Sequence, residues 1–209
     1  MFSFATKSSS SYRPNELTLI SANDYGSSFT LDSDTEPGDI VAIWDYLLRI
    51  DSGISDVIPS GFTKIITTYQ NIVNVYQRGT SSYKIVTQAD LNTTFTGFGN
   101  ISVLVFRCPN NITSAAVNGS PSGQAIYNQS GSINQSISSG TARSIMIGVN
   151  NWISTVKLST ETGSSSSSNI VSYYLNNSGN ISNSYSGSYT NTAPNSGGIF
   201  QSYQVNLTE

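Results

Sequence analysis

The run Ile40-Val41-Ala42-Ile43-Trp44 is apolar at five successive positions, directly after the turn sequence Glu36-Pro37-Gly38-Asp39. A strand sends successive side chains to opposite faces, so a run that is apolar at every position reads as a central strand buried on both sides. A helix reaching Arg49 is the competing reading, because Asp39 is placed to cap it. The β-branched content, and the Asp51-Ser52-Gly53 sequence that follows, favour the strand.

Runs of the same kind recur between turn signals. Strands are predicted at 17–20, 28–31, 62–69, 82–87 and 101–107. Further strands are predicted near 112–117, 144–149, 169–175, 184–190 and 198–207. Simple alternation puts Phe62, Lys64, Ile66 and Thr68 on one face, and 70–77 continues that strand or pairs with it. Glu36-Pro37-Gly38-Asp39 reads as a type II turn, with Pro presetting φ and Gly supplying φ > 0. Pro59-Ser60-Gly61 reads as the next turn. Residues 163–169 hold five consecutive serines and read as a flexible loop tip. No long amphipathic helical period or tandem repeat is present. The expected fold is all-β, an antiparallel two-sheet β-sandwich of jelly-roll type, with helix below ~10% of the chain. Residues 1–14 form an N-terminal arm and 15–209 a single domain, large enough to fold without disulfide or metal.

Charge narrows the function classes. Charged residues make up 10% of the 209 and the net charge is −3, which gives no electrostatic footprint for nucleic acid. Ten of the twelve acidic residues lie between Glu16 and Asp90, and beyond Asp90 the only charges are Arg107, Arg143, Lys157, Glu161 and Glu209. Hydroxyls and amides must keep the second half in solution. No window approaches the ~20 apolar residues of a membrane span. The N-terminus, Met1-Phe2-Ser3-Phe4-Ala5-Thr6-Lys7, is too polar for a secretory signal. Histidine is absent, which excludes a Ser-His-Asp triad and histidine acid–base chemistry. Cys108 is the lone cysteine and reads as an inert core thiol.

Taken in order, Glu36-Pro37-Gly38-Asp39, the run 40–44, Pro59-Ser60-Gly61-Phe62-Thr63, Tyr83-Lys84-Ile85-Val86 and ISVLVFR ending at Arg107 form a spaced series. The series resembles a β-sandwich module common in tailed-bacteriophage virion proteins. Phe62 stands where that module more often carries tryptophan, which keeps an aromatic plug. The resemblance covers roughly 17–107; beyond Cys108 it rests on strand order alone. It implies a two-sheet sandwich in tail fibres, tail appendages or capsid-surface proteins, and no catalytic residues. The function it implies is a non-enzymatic structural component of a tailed-phage virion, either a capsid-decoration or accessory head protein or a tail-appendage subunit. The expected location is the virion. The expected partners are other virion proteins and further copies of the chain, without cofactor, metal, nucleic acid or membrane span. The alternative function is a carbohydrate-binding module that recognises a host surface glycan.

Several constellations invite chemistry. Asp32, Asp34, Glu36 and Asp39 offer oxygens at near-alternate positions, as a calcium loop does, but Pro37 and Ile43 stand where an EF-hand requires Gly and Glu. Asp45, Asp51 and Asp56 are the nearest candidates for a glycosidase pair and read better as turn and cap residues. Gly97-Phe98-Gly99 lacks the lysine of a phosphate loop. Tyr173, Tyr174, Tyr185, Tyr189 and Tyr203 fall in the weakly charged half. They are candidates for surface binding, by stacking on sugars or anchoring a subunit contact, unless the sandwich core takes them.

Phe2, Phe4 and Tyr12 give the arm more apolar surface than a free tail needs, and they are the candidate subunit contacts. Burying each phenylalanine stabilises by roughly 1.5–3 kcal/mol. Deleting residues 1–13 should leave the melting temperature of the isolated protein unchanged and weaken its incorporation into particles; equal incorporation of the truncated and full chains refutes a role for the arm.

Overall fold

The computed structural model describes residues 15–49, 56, 58–72, 75–96, 99–109, 112–127, 129–138, 143–151, 155–166, 169–177, 181–190 and 197–208. The proposed arm, with Phe2, Phe4 and Tyr12, lies outside them. In the first half the strands are β1 (Thr18–Tyr25), β2 (Ser28–Thr30), β3 (Ile40–Arg49), β4 (Thr63–Ile72), β5 (Val75–Ile85), β6 (Thr94–Thr96) and β7 (Asn100–Arg107). In the second they are β8 (Ser114–Val117), β9 (Ser122–Tyr127), β10 (Gly131–Ser138), β11 (Arg143–Asn150), β12 (Lys157–Leu158), β13 (Gly163–Ser166), β14 (Ile170–Asn176), β15 (Ser182–Tyr189) and β16 (Gly197–Thr208). The helical content among the described residues is one 3-10 turn, Gln88–Asp90.

The first half builds a five-stranded antiparallel sheet in the order β1-β7-β3-β5-β4. The second half builds the facing sheet in the order β13-β14-β11-β16-β8, and the long β16 pairs with β9 as well. Between them lies the main core. Ile40, Ala42, Trp44, Leu104 and Phe106 from one sheet meet Ile145, Ile147, Val149, Tyr203 and Val205 from the other. The fold is therefore an all-β, antiparallel sandwich, and 40–49 is a strand rather than a helix.

Each main sheet is covered on its outer face too. Val41, Ile43, Val103 and Val105 point away from the main core and are roofed by β2 and β6 through Phe29 and Phe95. Phe62 is delivered to the same roof by the turn at Pro59, where Gly61 has φ of 81° and the Phe62 N–H reaches the Pro59 carbonyl at 3.1 Å. It stands edge-on to Phe95 at 5.3 Å, and Phe95 stacks on Phe29 at 5.2 Å. On the far side, Met146 and Phe200 are covered by a small sheet, β10-β15-β12, through Ile133, Ile137, Leu158 and Tyr185. The Tyr185 ring lies flat against Gly148, where any Cβ would collide with it.

Two local expectations change. Residue 65 is an extra residue in β4: Lys64 pairs with Ser82 and Ile66 with Ser81, so the pairing shifts between them. A bulge of this kind reverses the face, so Lys64 does not share a face with Ile66 and Thr68. The serine run is also not simply a loop tip. Gly163–Ser166 pairs with β14 as an edge strand, because backbone ladders need no apolar side chain and Gly163 lets the Tyr173 ring close over it.

Polar side chains fix how the two main sheets sit on each other. Gln201 on β16 is 0% exposed. Its Oε1 accepts from Ser81 Oγ at 2.6 Å, and its Nε2 donates to Thr68 Oγ1 at 2.9 Å and to the Gly79 carbonyl at 2.7 Å. Asn169 reaches Ser102 Oγ at 2.7 Å across the same gap, and the Tyr83 hydroxyl donates to the Ala115 carbonyl at 2.9 Å. Replacing Gln201 by Leu leaves the Gly79 carbonyl and the Ser81 hydroxyl buried without it, an expected loss of about 2–4 kcal/mol. Urea unfolding should show a lower midpoint at unchanged slope; an unchanged midpoint means that these bonds do not hold the sheets.

Candidate functional site

The acidic cluster in the first half receives a guanidinium. Arg107, at the end of β7, donates from Nε to Asp39 Oδ1 at 3.2 Å and from Nη2 to Asp39 Oδ2 at 3.1 Å. Its Nη1 lies 3.3 Å from Glu36, and Nη2 also reaches the Asp34 carbonyl. Asp39 is fully buried and accepts the Glu36 N–H at 2.8 Å. The turn between them has Gly38 at φ of 89° and an Asp39 N–H to Glu36 carbonyl bond of 3.1 Å, as the type II reading requires. Burial alone would lower the Arg107 pKa, but the carboxylates of Asp39 and Glu36 outweigh it and raise it. Asp32, the remaining member, accepts from Asn23 Nδ2 at 3.0 Å. Among the described residues no group of three or more ligand side chains is arranged to hold a metal.

Asp45, Asp56 and Asp90 are similarly engaged. Asp45 pairs with Arg78, both buried, on the roofed face of the first sheet. Asp56 accepts from Lys64 Nζ at 2.8 Å and from the Tyr69 hydroxyl. Burial pushes its pKa up, and Lys64 and Tyr69 more than reverse this, holding it below the usual range. Asp51 lies outside the described residues. Asp90 accepts from the Thr87 N–H at 2.8 Å and the Thr87 hydroxyl at 2.7 Å, and pairs with Lys84 at 3.0 Å. Its pKa, which burial would raise, is held low by these partners.

The tyrosines of the second half are mostly core residues, which corrects their assignment to surface binding. Tyr173 packs edge-on against Phe106, Tyr189 lies tilted against Phe200 at 5.5 Å, and Tyr185 and Tyr203 are buried at 0% and 2% exposure. Burial raises the pKa of both Tyr185 and Tyr203. The Tyr185 hydroxyl accepts from Asn150 Nδ2 at 2.9 Å. Tyr174 is half-buried against the same outer core. A strand of alternating Tyr and Ser looks like a polar face in sequence; the structure buries Tyr185 and Tyr189 beneath it. Cys108 is a buried free thiol.

Lys64, Arg78, Lys84, Arg107 and Lys157 each face a carboxylate. Ion pairs that join turns to strands therefore use most of the described basic side chains, and hydroxyls and amides supply the outward polarity. Residues such as Gln201 and Asn150 carry no signal that separates them from the many other amides of the sequence. Neither a family model, nor a curated protein, nor a solved structure matches this chain.

Arg107→Met removes the partner of a buried carboxylate, and a broken buried pair costs about 3–5 kcal/mol. Adding Asp39→Asn should recover a substantial part of that loss. Chemical denaturation of the two single variants and the double variant measures it; additive losses mean that the pair is not coupled.

Proposed function

We propose that this chain is a non-enzymatic structural subunit of a tailed-phage virion, present in multiple copies as a capsid decoration or tail appendage. One observation carries the reading: the landmarks that gave the resemblance touch one another. Arg107 holds Asp39 of the Pro-Gly-Asp turn. The Val86 backbone, at the end of the tyrosine-containing strand, bonds to both Gly38 and Asp39 of that turn at 2.8 Å. Phe62 plugs the roof over the same sheet. Motifs that are separate in sequence thus form one mechanical unit, which supports treating them as a module rather than as unrelated turns. A sandwich whose buried charges fasten turns to strands suits a part that persists on a particle.

The test is whether the protein travels with particles. Antibody raised against the purified chain should label intact phage from the source lysate at discrete positions, and the protein should sediment with particles through a density gradient. Recovery only from the soluble fraction overturns the reading.

A further inference from the structure

A crevice of about 50 Å³ lies between β10 and β16, beside the turn that follows β8. Asn118, Ser120, Ser136, Ser202 and Gln204 line it. Gln204 is 1% exposed. Its Nε2 donates to Asn206 Oδ1 at 2.6 Å, while its Oε1 has no hydrogen-bond partner among the described residues. An unmet buried carbonyl costs about 1–3 kcal/mol, so its presence in a folded protein calls for a ligand or a water. Holding one water takes roughly 10–15 Å³ of such space, so the crevice has room for a water or for one hydroxyl or hydroxymethyl group.

The crevice adjoins a wider groove of about 370 Å³ that shares Ser136 and Ile137 with it. That volume falls within the ~300–1,000 Å³ of small-molecule clefts. Ser159, Ser182, Asn183 and Ser184 complete its wall. The Asn183 amide is held from both ends: Oδ1 accepts from Ser159 Oγ at 2.7 Å and from the Thr160 N–H at 3.1 Å, and Nδ2 donates to the Thr160 carbonyl at 2.7 Å. It is a fixed wall, and Ser136 and Ser182 are exposed beside it.

No described lining residue is charged, which sets the chemistry of the ligand. An ion would lose water there without a counter-charge, and an apolar molecule would strip the hydroxyls of theirs. We infer that the crevice and groove beside β10 form a subsite for a neutral saccharide, with one sugar hydroxyl donating to Gln204 Oε1 and the ring lying along Ser136, Ser182 and Ser184. This inference is independent of the virion reading, because particle labelling does not depend on sugar binding.

Saturation-transfer NMR on the full chain tests it, with neutral trisaccharides of glucose, mannose and N-acetylglucosamine and a sialylated trisaccharide for comparison. At least one neutral probe should receive saturation with a millimolar Kd, and the sialylated one should not bind more tightly. Gln204→Met should weaken binding about tenfold, the equivalent of one hydrogen bond. Ser136→Arg, at an exposed position that leaves the core intact, should abolish binding and keeps the test valid if the Gln204 variant does not fold. No transfer to any neutral probe, preference for the sialylated one, or binding unchanged by Ser136→Arg overturns the subsite.

Discussion

Strands β3 and β11 are each buried on both faces, so each must be covered twice. Ile40, Ala42 and Trp44 turn one way along β3 while Val41 and Ile43 turn the other. On β11, Ile145, Ile147 and Val149 face the main core, and Met146 packs against the outer cover. A single pair of sheets would leave Val41 and Ile43 of β3, and Met146 of β11, in water. The short pair β2 and β6 and the small sheet β10-β15-β12 remove that exposure, and their placement follows from this need. Aromatic residues serve both covers, where Phe29, Phe62, Phe95, Tyr185 and Tyr189 each conceal more surface than an aliphatic side chain can.

Depth of this kind constrains the polar groups in the middle. Apolar contact alone is compatible with many relative positions of two sheets. A buried glutamine that binds Ser81, Thr68 and the Gly79 carbonyl is compatible with few, because displacement by one residue would orphan every partner. Gly79 has the same role in steric terms: a Cβ there would meet Trp44 and Ile199 at 2.9 Å, so the sheets come together where the backbone is bare. At the edge of the sandwich Arg107 does for a turn what Gln201 does for the sheets, joining residues 68 apart in sequence through two parallel bonds.

The sequence carried the strands well wherever the side chains were apolar. The runs at 40–44, 101–107, 144–149 and 198–207 each lie in a strand, because burial on one or both faces writes a pattern that needs no knowledge of the partner. Strands β9, β10 and β13 escaped notice for the opposite reason. Sequences such as SGQAIY, GSINQSIS and GSSS place few apolar residues, and their hydrogen bonds come from the backbone, which every sequence possesses. The bulge at residue 65 was hidden as well, since one inserted residue changes the face without changing composition. The tyrosines misled because a phenolic ring satisfies either side of an interface; only the presence of Gly148 beneath Tyr185 decides, and that contact joins different strands. The Asp39–Arg107 clamp had both ends visible as motif landmarks, but nothing local announces that they meet.

The two main sheets are also partitioned along the chain. Every described ladder joins strands of the same half, and none runs between residues before 108 and residues after it. The halves meet through side chains, in the manner of two proteins with a well-packed interface. The chain passing from β7 to β8, with Cys108 and Ile112 packed in the main core, also ties the two halves covalently. It replaces the entropy cost of bringing two molecules together with a high effective concentration of one half around the other. The polar contacts between the sheets consequently act as recognition as much as cohesion: they are the means by which one half of a chain identifies the other.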